Sequence, residues 1–462
     1  MSEKNRDTNL QNLPKEVREK LEKSGMDIAS MPKAMLEKIL KSASHGGGKE
    51  VGDEQNPFKE RIKTHHTPRI FPPNPASEDE LFNALNSPSD SEDCVIYFHV
   101  PFCDNICSFC SMNRTKLENE LDDYTEFLLS EIAKFGDTPY LKSKKIKSIY
   151  FGGGTPTTLK ENHFERIFNE IYKYFSIDEN CEISLESTLH NLSVEKIKFL
   201  EKIGVNRFSI GIQTFSDHGR KFLNRVYNGK GAIKKLANLR ENFDGLLCTD
   251  IIYNYPNQSL DDVKFDAKQI LDLNIDSTSF YSLMYFDGAK LSKDGKEFEY
   301  DLQTDLNLHN EFAKTLLESG EFELLELTKL ARIGRDSYEY IRHTHKGTDI
   351  LPLGNGAGGK IAGFGMFGMG GRKMISKNSP NQAKFERLCN LFQYQSLNLS
   401  EFEILSNDIK TELFAFLKEC EKMGFGEFKN GKFELSLNGV FWGNNIAVKS
   451  ANIIKKEFLC EK

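Results

Sequence analysis

The chain has 462 residues, 39% hydrophobic and 28% charged, so it can build a packed core and global disorder is excluded. Its 68 acidic residues against 61 basic ones leave a formal charge of -7, the wrong sign for a surface that binds nucleic acid throughout. At about 150 residues per domain the length suits two or three domains, or one barrel of about 250 residues with additions.

The 35 Phe and single Trp point to a Phe-filled core. The polar start, Met1 to Asp7, leads into no apolar run, so no secretory signal is expected. No stretch approaches the about 18 apolar residues that a membrane span needs. A cytoplasmic location follows as the expectation. There the nine cysteines would be reduced thiols or metal ligands, not disulfides. Cys94, Cys181, Cys248, Cys389, Cys420 and Cys460 stand singly and read as buried small hydrophobes.

Residues 1–55 read as a helical or flexible N-terminal extension. Helical spacing at 15–21 and 35–40 gives way to the breaker Gly46-Gly47-Gly48. Residues 56–93 are a Pro-rich linker by composition, with Pro72-Pro73 and Pro88. His65-His66 in this stretch reads as an exposed pair. From Cys94 the pattern changes. Strand-like runs cover 95–100, 148–151, 182–188, 207–215, 247–255 and 277–286, separated by helical sequence such as 124–134 and 162–175. This alternation predicts an α/β fold over 94–300, a parallel sheet curled by right-handed crossovers into a partial (β/α)6 barrel.

One parity of these strands is polar or small: Glu182, Ser184, Glu186; Ser209, Gly211, Gln213; Asp250 with Asn254. The other parity is apolar: Ile183, Leu185; Phe208, Ile210, Ile212; Ile251. The apolar set belongs under the helices. The polar set would face a lumen that is wet or holds a polar ligand.

Residues 302–318 look helical. The stretch 301–375 then holds Arg332, Arg335 and Arg342 and a Gly-rich segment, and is expected to cover the substrate. Gly363, Gly365 and Gly368 spell G-x-G-x-x-G, but without a strand before and a helix after they do not predict dinucleotide binding. Met366 and Met369 read as gap fillers that could touch a flat ligand, and His343 and His345 as surface residues that could ligate iron. Residues 376–462 read as a small helical, winged-helix-like α+β module closed by strand residues 433–437.

The chemistry centres on Cys103, Cys107 and Cys110, a Cys-x3-Cys-x2-Cys loop directly after the first barrel strand. Three thiolates in eight residues can converge on a metal centre. Zinc would need a fourth ligand, for which His99 is the candidate. An iron–sulfur cubane held by three thiolates would keep one iron open for a small molecule. A chance grouping of thiols is the remaining reading.

The segment Tyr97-Phe98-His99-Val100-Pro101-Phe102-Cys103, continued through Cys107, Phe109 and Cys110, resembles the radical S-adenosylmethionine (radical SAM) enzymes. It is most similar to their coproporphyrinogen-dehydrogenase-like branch. Gly152-Gly153-Gly154-Thr155-Pro156, Glu186, the run from Asn206 to Gln213, Arg225 and Asp250-Ile251-Ile252-Tyr253 agree in order and at the expected strand ends. The resemblance implies a 4Fe-4S cluster on Cys103, Cys107 and Cys110, and S-adenosylmethionine as co-substrate, cleaved after the reduced cluster donates an electron. It implies contacts from Tyr97 and Glu186 to a first adenosylmethionine, with Gly153 also among the cofactor-binding residues. Phe109, Gly154, Thr155, Gln213, Arg225 and Asp250 would surround a second. Gln213, Arg225 and Asp250 are the implied catalytic residues beside the three cysteines. Reduced flavodoxin or ferredoxin is the implied electron donor, with no nucleic-acid partner and no membrane span.

Within the branch, the coproporphyrinogen oxidases carry a fourth cysteine where this chain has Met112, after Ser111. Haem chaperones carry an acidic then an aromatic residue there, also absent. The run from Arg332-Ile333-Gly334-Arg335 to Leu353-Gly354-Asn355-Gly356-Ala357-Gly358-Gly359 is similar to the anaerobilin synthases. That implies haem as substrate, opened by radical methyl transfer to a linear tetrapyrrole with release of iron. Oxidative decarboxylation of coproporphyrinogen III and haem carriage are the alternatives.

Overall fold

The computed structural model describes residues 56, 58–63, 69–110, 115–116, 120–295, 298–369 and 371–459. The expectations for residues 1–55, His65-His66, Ser111, Met112 and Cys460 lie outside them. The unit from Arg61 onward carries all the described helices and strands.

The Pro-rich stretch contributes to the fold. A two-residue strand, Asn74–Pro75, pairs with Ser376 and Lys377. Helix α1 (Glu78–Leu85) starts at a capping box, in which Ser77 and Glu80 bond each other's backbone N–H. It buries Leu81 and Leu85 in the main core. Ser77-x-x-Glu80 is the local signal that the Pro and Ser content masks.

The barrel strands are β1 (Asp93–Val100), β2 (Lys145–Gly153), β3 (Ser176–Thr188), β4 (Arg207–Gln213), β5 (Leu246–Tyr253) and β6 (Ser277–Ser282). They pair in parallel in that order. Helices α2 (Leu121–Gly136), α3 (Glu161–Tyr174), α4 (Val194–Lys202), α5 (Asp217–Phe222), α6 (Gly229–Arg240) and α7 (Leu260–Asp272) are the crossovers. Helix α3 shows why they dock: Phe164, Ile167, Phe168 and Ile171 recur at helical spacing and all are buried. The core is Phe-rich. Phe98 stacks on Phe151 at 4.4 Å, and Phe151 on Phe168 at 5.8 Å. Helix α8 (Leu302–Leu317) follows the barrel strands.

Two further strands, β7 (Phe322–Glu326) and β8 (Lys329–Arg332), form an antiparallel hairpin on the free edge of β6. After α9 (Glu339–Lys346), strand β9 (Asp349–Leu353) returns to pair in parallel with β1. The order is β7-β8-β6-β5-β4-β3-β2-β1-β9, and among the described residues the sheet does not close. This is the partial barrel expected from the alternation. The strands expected at 207–215 and 247–255 stop short, because Gln213 and Asn254 adopt left-handed backbone at φ 72 and φ 62.

The lumen at the N-terminal ends of the strands is filled by protein. Arg207 donates Nε and Nη2 to Asp336 at 3.2 and 2.9 Å, and both side chains are sealed from solvent. Cys248 and Ser277 donate to the same carboxylate. Glu182 accepts from the backbone N–H groups of Glu339 and Tyr340, capping α9. Tyr338 lies over the Arg207 guanidinium.

Beyond the barrel, β10 (Gly358–Ile361), β11 (Phe364–Met369) and β12 (Arg372–Lys377) form an antiparallel meander. Gly363 turns the β10–β11 hairpin and Gly365 and Gly368 lie inside β11, so the G-x-G-x-x-G string opens no helix. The chain ends with α10 (Pro380–Asn390), β13 (Ser396–Asn398), α11 (Asn407–Lys422), a β14–β15 hairpin (Gly426–Lys429 and Lys432–Leu435), α12 (Leu437–Phe441) and α13 (Gly443–Leu459). The expected hairpin is present, but it does not close the module. Two helices follow, and α13 is buried around much of its circumference by Ile446, Ala451, Ile453 and Ile454. Its Gly443-Asn444-Asn445 start carries weak helix propensity, which hid it.

The Arg207 charge holds the Asp336 carboxyl far below the usual carboxylate range, against the opposing effect of burial. The pair therefore stabilises the fold above the ordinary carboxylate pKa, and that stability fades as pH falls through the depressed value. Asp336→Ala leaves the buried Arg207 guanidinium only Glu182, at 3.7 Å, as an ion-pair partner and is predicted to cost about 3–5 kcal/mol in chemical denaturation at pH 7. A loss below about 1 kcal/mol would mean that the pair does not hold the lower lumen.

Candidate active site

The strand register builds the site. Glu186 of β3 lies opposite Ser209 of β4, and Gly211 opposite Asp250 of β5. One parity thus reaches the C-terminal ends as a polar wall. The alternate residues Leu185, Ile210, Ile212 and Ile251 join the core beneath the helices. Asn254 leaves the pattern; its left-handed turn directs the side chain to Ser282 instead.

The cysteine loop leaves β1 and is held on several sides. Thr155 donates its backbone N–H to Phe102 O, and Gly154 to Val100 O. Ser108 Oγ donates to Phe222 O, and Asn224 Nδ2 to Ile106 O. A Cβ at Gly154 would lie 2.6 Å from Phe102 O, so only glycine permits this approach.

Loop and wall enclose a cavity of about 350 Å³. Cys103, Cys107 and Cys110 line it together with Phe109. So do Gly153, Gly154, Thr155 and Glu186, and across the cavity Gln213, Arg225 and Asp250. Tyr97 is the exception among the expected site residues. It lies behind this wall, with its hydroxyl on His99 Nδ1 at 3.1 Å and its ring stacked on Tyr150. Tyr150 is the residue that reaches Glu186, donating at 2.9 Å.

Glu186 also accepts from Gly153 N–H at 3.1 Å. Burial is the main cause that pushes its carboxyl up to about 7. The Asp250 charge adds to the rise, and the Tyr150 and Gly153 hydrogen bonds oppose it. Asp250 accepts from Ser209 Oγ at 3.2 Å. Arg225 donates to Gly211 O and, at 2.7 Å, to Cys107 Sγ.

The three thiols face one space without closing on one point. Among the described residues no group of three or more His, Cys, Asp or Glu is gathered for a single metal ion. Cys103 lies 3.5 Å from Thr155 Oγ1, whereas Cys107 faces Arg225. A zinc ion needs four ligands within about 2.3 Å, and the candidate fourth, His99, is turned to Tyr97. Thiols spread around a roomy cavity suit a polynuclear cluster, whose metal corners are separated.

The wall also includes residues the motifs do not mark: Asn105, Thr188, Leu283, Met284 and Phe286. The last three come from the run expected as strand to 286. The strand ends at Ser282, and the remaining residues turn over the cavity.

The 301–375 stretch contributes no residue to this cavity wall. Arg332 and Arg335 lie at the opposite end of the barrel, bonded to Glu321 and Asp276, and Arg342 is paired with Glu339. His343 faces Thr348, and His345 faces Tyr394. Met366 packs in the main core. The side chain of Met369 lies outside the described residues. Cys94, Cys181, Cys248, Cys389 and Cys420 are buried, as expected of small apolar residues. No described helix is long and apolar enough to cross a membrane.

Comparison with known proteins agrees with this geometry. Residues 97–270 match the Radical SAM superfamily. The chain is 24% identical over 383 residues to an anaerobilin synthase of Escherichia coli O157:H7, covering 79% of this chain and 85% of that protein. It is 29% identical over 279 residues to a heme chaperone of Buchnera aphidicola subsp. Schizaphis graminum, covering 58% of this chain and 70% of the relative. Among solved structures, the coproporphyrinogen III oxidase of Escherichia coli, a radical SAM enzyme, superposes with a TM-score of 0.70 at 20% identity, over 83% of this chain and 96% of that one. Residues 97–270 therefore form a Radical SAM domain, and the chain is similar over more of its length to haem-related proteins.

Proposed function

We propose that this protein is an anaerobic haem-degrading methyltransferase of the anaerobilin-synthase type. The observation that carries the adenosylmethionine chemistry is the meeting of Cys103, Cys107 and Cys110 with Glu186, Gln213, Arg225 and Asp250 around one cavity. The haem reading is supported by a likeness to anaerobilin synthase over 79% of the chain and to heme chaperones over 58% and 75% of it.

In this reading Cys103, Cys107 and Cys110 hold a 4Fe-4S cluster, which supplies the electron that cleaves adenosylmethionine. The chain's own residues bind and orient. Adenosylmethionine carries an ammonium, a sulfonium, a carboxylate and a ribose diol. Glu186 and Asp250 offer carboxylates to the cations and hydroxyls, and Arg225 offers a guanidinium to the carboxylate. Glu186 faces a first molecule, with Gly153 fixing its carboxylate. Phe109, Gly154, Thr155, Gln213, Arg225 and Asp250 face a second. Leu283, Met284 and Phe286 are apolar residues of the wall, suited to exclude water and to meet a flat tetrapyrrole. Reduced flavodoxin or ferredoxin is the proposed donor.

Product mass decides the reaction. Oxygen-free protein supplied with haem, reductant and adenosylmethionine should yield a methylated linear tetrapyrrole and 5′-deoxyadenosine. With coproporphyrinogen III as substrate, loss of two carboxyl groups without methyl gain would identify a decarboxylase instead. Bound but unchanged haem, with the cluster reduced, would contradict the proposal and favour a carrier.

Glu186 gives a second test. Its raised pKa keeps it mostly protonated below about 7, and its charge develops as pH rises through that value. Affinity for the cationic ligand should therefore rise as pH increases from 6 to 8, by about three- to tenfold in equilibrium dialysis. Glu186→Gln should flatten the profile. A flat wild-type profile would show that Glu186 does not meet the ligand's charge.

A further inference from the structure

Arg220, on α5, is 2% exposed, and all four of its hydrogen bonds end on backbone carbonyls. Nη1 donates to Ile212 O at 3.0 Å and to Thr214 O at 2.8 Å. Nε donates to Tyr227 O at 2.9 Å, and Nη2 to Val226 O at 2.6 Å. These acceptors fall into two groups. Ile212 and Thr214 flank Gln213, and Val226 and Tyr227 directly follow Arg225. One buried cation thus ties together the two short segments that carry facing cavity residues.

Both segments need such a tie. Gln213 has left-handed backbone at φ 72, which a residue with a side chain adopts only when its surroundings enforce it. Asn224 and Tyr227, on either side of the Arg225 turn, are left-handed too, at φ 55 and φ 70. Asp266 of α7 holds the Gln213 turn from the other side, accepting Phe215 N–H at 2.7 Å. A neutral side chain at 220 could not satisfy four buried carbonyls at once.

We propose that Arg220 is a positioning residue of the ligand cavity, holding Gln213 and Arg225 in fixed relation so that both meet one bound adenosylmethionine. This rests on the proposed reading of the cavity as an adenosylmethionine site. Arg220 itself does not line the cavity; it acts through the two residues that do.

The test uses the full chain, reconstituted without oxygen, as wild type, Arg220→Met and Arg220→Lys. Asp336→Ala serves as a variant destabilised outside the cavity wall. Iron content, S-adenosylhomocysteine affinity by calorimetry and amide hydrogen exchange are read on each. Arg220→Met should keep its iron, bind about tenfold more weakly and exchange faster at residues 212–215 and 225–227. Arg220→Lys, which keeps the charge but reaches fewer carbonyls, should fall between, and it carries the test if the Met variant does not fold. Asp336→Ala should bind like wild type. Affinity within about twofold of wild type in Arg220→Met, or equal weakening in Asp336→Ala, would overturn the proposal. Wild type that binds no S-adenosylhomocysteine would sink the reading of the cavity, while exchange at the same amides still decides whether Arg220 holds the two segments.

Discussion

A parallel strand shows alternate side chains to opposite faces, and in this protein that alternation divides the core from the chemistry. On β3, β4 and β5 the apolar parity packs under the crossover helices, and the polar parity turns inward. Register then matters as much as composition. Because Glu186 faces Ser209 and Gly211 faces Asp250, polar residues of three strands line the same cavity on two successive levels. A slip of one residue on β4 would bury Gln213 under a helix and place Ile212 in the cavity.

The lumen is used differently at its two ends. Near the N-terminal ends, the Arg207–Asp336 pair with Glu182, Cys248 and Tyr338 fills the interior with partnered polar groups. Near the C-terminal ends, Glu186, Asp250 and Arg225 are held by only a few neighbours and line open space. Polarity is common to both ends. What distinguishes them is whether the chain supplies the partner or leaves it to a ligand.

The strand alternation, the polar parity and the cysteine loop were legible in the sequence because each is a local, periodic signal. The cavity residues came through for the same reason: most sit on strand ends with recognisable neighbours. What was not legible depends on contacts distant in the chain. Nothing near Asp336 announces a buried partner at Arg207, so its stretch read as a cover over the substrate. Arg332 and Arg335 belong to the stretch expected to cover the substrate, yet an antiparallel return along β6 carries them to the far end of the barrel. Tyr97 fits its motif but does not line the cavity; its ring stacks on Tyr150, which donates to Glu186. Arg220 sits in a short helix with no periodic pattern, and its role emerges only from the four carbonyls around it.

The account stands on three thiolates gripping an iron–sulfur centre that keeps one corner free for a sulfonium compound. Electron paramagnetic resonance of the chemically reduced, anoxically reconstituted protein tests this directly, with and without adenosylmethionine. The account predicts a cluster signal whose shape changes when the ligand is added, and its loss when Cys103, Cys107 and Cys110 all become alanine. A wild-type signal indifferent to adenosylmethionine, or one that survives in the triple variant, would contradict it.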